Sequence, residues 1–274
     1  MTAHQSISYN PVLHELGSWH SAMGISHFPV GASLSPYFQS HTLLTGVEAV
    51  AGKSNWYILP DNSAYLIFYL EERSSKTRAS LRLIGPRSRY ITIDRRGRHL
   101  TFVTAFRPGG TVPFADVPTQ ALLDHSFDAF EVFPGLEENL LEALTLAAKQ
   151  QRYEQLPALV EASFSTQVGA SGRKLHPLVP AFLEKAEAGP VKLRELAREL
   201  GVSERYLREL VKESIGHHPK LAMKIKRFSR SLLLSNSETD WQDIAYLSGY
   251  YDQSHMIGDY REMIQVSPHR LFGK

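Results

Sequence analysis

Two stretches in the last third of the chain decide how it folds: Leu193–Pro219, LRELARELGVSERYLRELVKESIGHHP, and Trp241–Leu271, WQDIAYLSGYYDQSHMIGDYREMIQVSPHRL. They are copies of one pattern. Leu196-Ala197 followed by Gly201 returns as Ile244-Ala245 followed by Gly249, at an offset of 48. Past the glycines the offset is 49: Leu207 returns as Met256, Val211 as Tyr260 and Pro219 as Pro268, while Leu210 meets Asp259, a mismatch. The chemistry of the unit is specific. The alanine is small where two helices cross closely. The glycine stands just past the first helix, where the backbone turns left-handed. Ser203 and Asp252 can cap the next helix by accepting from its free N–H groups. A short turn inclines the second helix steeply to the first, which is a helix-turn-helix. A single copy reads equally well as an ordinary helical hairpin. Two copies, joined by one long helix over Pro219–Leu234 that carries Lys220, Lys224, Lys226, Arg227 and Arg230, point to DNA.

Outward from this core, Ser165–Gly172 (STQVGASG) is small, polar and glycine-bearing, and reads as a linker. Before it, helical spacing predicts Gln120–Phe130, Leu136–Arg152 (Leu140, Leu144 and Ala147 on one face) and Leu156–Phe164. Earlier still the signals are those of strands. Trp56–Leu59 leads into the turn Pro60-Asp61-Asn62-Ser63, and Ala64–Leu70 (AYLIFYL) is apolar on both alternating faces, as in a strand covered on both sides. Ala79–Ile84, Tyr90–Ile93 and His99–Phe106 are shorter strands, the last closed by Pro108-Gly109-Gly110. The expected fold class is therefore α+β. A β-barrel or jelly-roll-like domain with flanking helices spans 1–165, a linker spans 166–174, and an all-α domain with two helix-turn-helix units spans 175–274.

Composition bounds the alternatives. A chain of 274 residues with 43% hydrophobic and 10% aromatic residues holds a sizeable core, which excludes a mainly disordered or collagen-like polymer. No window approaches eighteen apolar residues, so no membrane span is expected. Met1–Asn10 has neither the basic nor the apolar region of a secretory signal, and the absence of cysteine removes disulfides and thiol chemistry, so a cytoplasmic protein is expected. The net charge of +2 is unevenly spread: up to Ala170 the chain carries 13 Lys+Arg against 15 Asp+Glu, and beyond it 17 against 13. Only the tail is electrostatically suited to a polyanion.

The quoted stretches resemble the AraC-type transcription regulators, through about a hundred residues, 175–274, and most specifically through Ile-Ala…Gly-Tyr-Tyr-Asp-Gln-Ser-His…Ser-Pro. The resemblance implies two helix-turn-helix units on a linking helix, each placing a recognition helix in successive major grooves of double-stranded DNA. Carried over, the first recognition helix is Ser203–Glu213, with Arg205, Arg208 and Glu209 facing bases. The second starts at Asp252 and presents Gln253, Ser254, Ile257 and Gly258. Phosphates fall to Ser203, Lys212, Lys226, Arg227, Ser267 and His269. Arg suits guanine, Gln suits adenine, and Ile257 can pack on a thymine methyl. Glu209 and Gly258 stand where the family commonly has Arg, and Gln265 replaces a Gly. These departures thin the direct readout and predict weaker or more shape-dependent specificity.

The front half resembles the sensor domains of some AraC-type proteins through Leu59-Pro60-Asp61 and Phe106–Gly110. That implies a cupin-like barrel that binds a small effector or dimerises, although each turn is also accounted for as a turn alone. Gly46–Ser54 (GVEAVAGKS) has five residues between its glycines where a phosphate loop needs four. His14-Glu15 with His20 lacks the i, i+4 spacing of a zinc hydrolase. No nucleophile elbow or dinucleotide fingerprint appears, so neither a catalytic site, a metal nor a cofactor is expected. The function expected is sequence-specific transcription regulation, with a small effector, a second copy of the chain and RNA polymerase as further partners. The competing reading is a metal-dependent cupin-like enzyme, using His20, His27 or His41, fused to a DNA-targeting module.

Overall fold

The structure is a computed structural model and describes residues 24–46, 54–73, 76–95, 98–168, 172–188, 192–235 and 239–272. His14, Glu15, His20, the first ten residues and the interior of Gly46–Ser54 lie outside the described residues.

The front domain is an antiparallel sheet in the order β1-β2-β7-β4-β5-β8, formed by Gly24–Phe28 (β1), Phe38–Gly46 (β2), Tyr65–Arg73 (β4), Lys76–Ile84 (β5), Arg98–Phe106 (β7) and Ser126–Asp128 (β8). Ser54–Ile58 (β3) and Ile91–Arg95 (β6) pair separately as a two-stranded ribbon. Among the described strands the edges β1 and β8 do not pair with each other, and the antiparallel sheet domain that was expected consists of a six-stranded sheet and a ribbon.

The apolar run of β4 explains the layering. Leu66, Phe68 and Leu70 point into the larger core, against Leu140 and Leu144 of Leu140–Lys149 (α3) and Val160 and Phe164 of Gln155–Ser165 (α4). Tyr65 and Ile67 alternate to the opposite face and meet Ile58 and Ile91 of the ribbon. Both faces are thus buried, as the sequence pattern requires.

One expected helix is corrected. Gln120–Phe130 is not continuous: it divides into Thr119–Leu122 (α1), β8 and Ala129–Val132 (α2). Asp124 has a left-handed backbone (φ 59°), and Gly85 N–H donates to His125 O at 3.0 Å, drawing the segment onto the edge of β5 as a strand.

The second domain contains Leu178–Ala188 (α5), Leu193–Glu199 (α6), Glu204–Ile215 (α7), Pro219–Leu234 (α8), Trp241–Leu247 (α9), Gln253–Ile264 (α10) and Pro268–Phe272 (α11). It has two cores. Val179, Phe182, Leu196, Leu207 and Val211 pack around Ala222 of α8, and Ile225, Phe228 and Leu232 of the same helix pack with Trp241, Ile244, Met256 and Tyr260. The linking helix is therefore one rod shared by both units.

Candidate nucleic-acid interface

The two units close their turns with the same bonds. Val202 N–H donates to Ala197 O in the first, and Tyr250 N–H to Ala245 O in the second, both at 2.9 Å. Gly201 (φ 71°) and Gly249 (φ 86°) take the left-handed conformation that a side chain would strain. Ser203 Oγ accepts from Tyr206 N–H at 3.1 Å, and Asp252 Oδ1 from His255 N–H at 2.7 Å, so both recognition helices are capped as expected. The second turn holds one residue more than the first. That residue is Tyr251, 92% exposed at the mouth of α10.

Both recognition helices keep one face open. On α7 Arg205, Arg208 and Glu209 are exposed and Lys212 is partly so, while Leu207, Val211 and Ile215 face inward. On α10 Ser254 and Gly258 are exposed, Gln253 and Ile257 are half-buried, and Met256, Tyr260 and Met263 face inward. Arg261 is exposed on the same face of α10. The sequence reading passes over it, although the repeat offset makes it the counterpart of Lys212.

Several of these side chains already have partners. Arg208 pairs with Glu204 one turn earlier on α7. Gln253 Nε2 lies 3.1 Å from His269 Nε2. Ser267 Oγ accepts from Arg270 N–H at 3.4 Å and so caps α11. His255 is exposed, yet its ring meets Tyr250 edge-on at 5.3 Å.

Arg227, expected on a phosphate, already has contacts within the second unit. It lies 3.7 Å from Asp259 Oδ2 and over the Tyr250 ring at 5.4 Å, with 24% of its side chain exposed. Lys224 joins it, 3.2 Å from Asp259 and 2.7 Å from Glu262. The Leu210/Asp259 mismatch thereby has a reason: Leu210 packs on the apolar cluster that includes Ala222 of the linking helix, whereas Asp259 pairs with Lys224 of that helix beside a second apolar core.

Gln265 closes α10 with φ 59°, where Gly216 closes α7 with φ 93°. A side chain in that conformation costs roughly 1 kcal/mol. Gln265→Gly is therefore expected to stabilise the domain by about 1 kcal/mol, measured as a rise in melting temperature. The exposed 3.3 Å bond from Tyr90 hydroxyl to Gln265 Oε1 contributes too little to reverse the sign.

The front domain reaches all three long helices of this unit, mostly through main-chain oxygens. Asn62 Nδ2 donates to Ala222 O of α8 at 3.0 Å, Thr119 Oγ1 to Glu213 O of α7 at 2.6 Å, and Tyr90 N–H to Met263 O of α10 at 3.0 Å. Leu59 is buried in the α8–α10 core. A Cβ built on Gly109 would lie 2.7 Å from Leu175 and 3.3 Å from Ser214 O. Leu59–Ser63 and Phe106–Gly110 are thus more than local turns: both seat the second domain. His217, 4% exposed, follows the α7 terminus at Gly216, where an added Cβ would meet Thr119 O at 2.5 Å. Burial pushes its imidazole down to about 4, against the opposing pull of its bond to His218 O and of Asp124.

Inside the front domain His41 is fully buried, with Nδ1 2.9 Å from Thr104 Oγ1 and Nε2 3.0 Å from Glu161 Oε1. Burial lowers its pKa, and the hydrogen bond and charge of Glu161 oppose this. Thr104 is also fully buried, and the Glu161 side chain at the other end of the line is 20% exposed. Among the described residues no three of His, Asp and Glu come together as a metal site, and no helix is long and apolar enough to cross a membrane.

A family model described as a helix-turn-helix domain matches residues 196–274, and one described as a domain of unknown function (DUF6597) matches residues 26–128. No curated protein matches the chain. Among solved structures, the C-terminal domain of AraT, a response regulator from Geobacillus stearothermophilus, is 22% identical at a TM-score of 0.35, over 36% of this chain and 87% of that one. ToxT from Vibrio cholerae O395 is 14% identical at a TM-score of 0.44, over 85% and 99%. ToxT from strain SCE256 with a bound unsaturated fatty acid is 14% identical at 0.42, over 93% and 98%. The domain match and the duplicated, capped units on one linking helix carry the identification: in residues 196–274 the chain has the DNA-binding domain of the AraC-type helix-turn-helix regulators.

Proposed function

We propose that this DNA-binding regulator lays α7 and α10 in neighbouring major grooves on one face of the duplex. Arg205, Arg208, Glu209, Gln253, Ser254 and Ile257 face base edges, and Ser203, Lys212, Lys226 and Ser267 hold phosphates. The observation that supports this most is the pair of N-capped recognition helices, each with an open polar face, on one shared rod. Phosphate contacts fix register, and the base-facing side chains supply preference.

Residues 1–165 act as the sensing or dimerising domain, 166–174 as the connection and 175–274 as the reader, in the cytoplasm, with RNA polymerase and a second copy of the chain as further partners. A small effector that favours the seated or the released arrangement of the two domains shifts DNA affinity by its differential binding to the two.

Random-site selection on the full chain tests this reading. The expected product is a site about two helical turns long whose affinity falls steeply with salt. Arg208→Ala is expected to cost roughly 1–3 kcal/mol at one base position, and Lys226→Ala to weaken all sequences alike. A selection that returns no sequence preference overturns specific regulation.

A further inference from the structure

We propose that His269 is the positioning residue that fixes which base Gln253 reads, an inference that rests on the readout assigned to Gln253 above. Gln253 is the first residue of α10, and its Nε2 stands 3.1 Å from Nε2 of His269 on α11. Two nitrogens at that distance need one donor and one acceptor. An amide nitrogen only donates, so the imidazole Nε2 supplies the lone pair and the ring proton sits on Nδ1. One Nε2 proton and the Oε1 of Gln253 are then left for the groove, a donor beside an acceptor. That pair complements adenine, which offers N7 as acceptor and its N6 amino group as donor.

The terminal torsion of a glutamine is broad and roughly two-fold, so the helix alone does not choose between the two faces of the amide. An imidazole that presents the Nε2 lone pair does, and the position of its ring is set by the core. Its ring lies edge-on to Trp241 at 5.5 Å and 65°, and Trp241 is only 6% exposed among the residues that bind α8, α9 and α10 together. Orientation passes from buried indole to imidazole to amide. The first unit uses the equivalent position differently. There Glu204, the repeat counterpart of Gln253, holds Arg208 of its own helix. In one unit the first helical residue orients a reader, and in the other it is the reader that is oriented. Turned over, the amide would offer the groove its two N–H groups, which suit guanine or thymine acceptors.

A phosphate role for His269, which the family resemblance implies, has a different signature, so the two can be separated. The full chain carrying Gln253→Ala, His269→Ala, His269→Gln or both alanines is titrated against duplexes permuted at every position of its selected site, over a range of salt. Gln253→Ala is expected to lose roughly tenfold discrimination at one base position. His269→Ala loses the same discrimination at the same position, leaves the slope of log affinity against log salt unchanged, and adds little to Gln253→Ala in the double variant. His269→Gln, whose side-chain oxygen can accept from the amide, restores part of it. His269 is exposed, so these variants remove no buried side chain. Discrimination untouched by His269→Ala while Gln253→Ala abolishes it overturns this inference alone. Uniform weakening on every sequence with a salt slope smaller by about one does so too, and returns His269 to a phosphate. A Gln253→Ala variant with unaltered base preference overturns both this inference and the readout it rests on.

Discussion

Gly258→Arg is expected to tighten binding to the preferred site by roughly tenfold to a hundredfold and to sharpen preference at one base pair. Gly258 lies on the open face of α10 between Ile257 and Arg261, and a Cβ built on it meets nothing within 4 Å. An arginine there has an unobstructed path to a groove, and a bidentate contact with guanine is worth roughly 1–3 kcal/mol. Mid-helix glycine also costs about 1 kcal/mol of helix stability relative to ordinary residues, so the variant should melt higher. Unchanged affinity alongside a higher melting temperature would mean that α10 does not lie against DNA along this face.

The second large effect is on acid stability. His217 is held neutral where the two domains meet, with a pKa pushed down to about 4, while an exposed imidazole titrates near 6.5. The seated, folded form therefore binds fewer protons than the unfolded one between these values. Stability from this site is full above about pH 6.5, is lost as pH falls toward 4, and changes no further below that. The span corresponds to about 3 kcal/mol. His41, buried with a lowered pKa inside the front domain, adds loss of the same sign. His217→Gln isolates the seam: melting temperatures between pH 7 and pH 4.5 should fall less steeply in the variant than in the parent. Identical slopes would place the acid sensitivity elsewhere.

The DNA-binding half was largely legible from sequence because its determinants are local and chemical. A small residue at a crossing, a glycine past a helix end and a hydroxyl or carboxylate at a cap each leave a mark at a fixed spacing. The linking helix spans Pro219–Leu234 in both the reading and the structure. Strands β4, β5 and β7 were legible as short apolar runs bounded by turns, whereas β2 was not. Its FQSHTLLTG buries His41 and Thr42, whose polar atoms are satisfied by Thr104, Glu161 and His27 across the fold, and no one-dimensional pattern announces such pairing. Helical spacing failed over Gln120–Phe130, where the left-handed Asp124 and the open edge of β5 override local preference. At the site, the open faces of α7 and α10 were what the family resemblance implies. The contact of Arg227 with Asp259 was not legible, because Asp259 stands where the other copy has the apolar Leu210.

Three hydrogen bonds between the halves left no trace in the sequence because on the reader's side they end on carbonyls: Ala222 O, Glu213 O and Met263 O accept from Asn62, Thr119 and Tyr90. Every residue type supplies a carbonyl. Descendants of this gene can therefore exchange the outward side chains of both reading rods and acquire a new operator without retuning how the halves communicate. Addressing and switching are free to evolve on separate clocks.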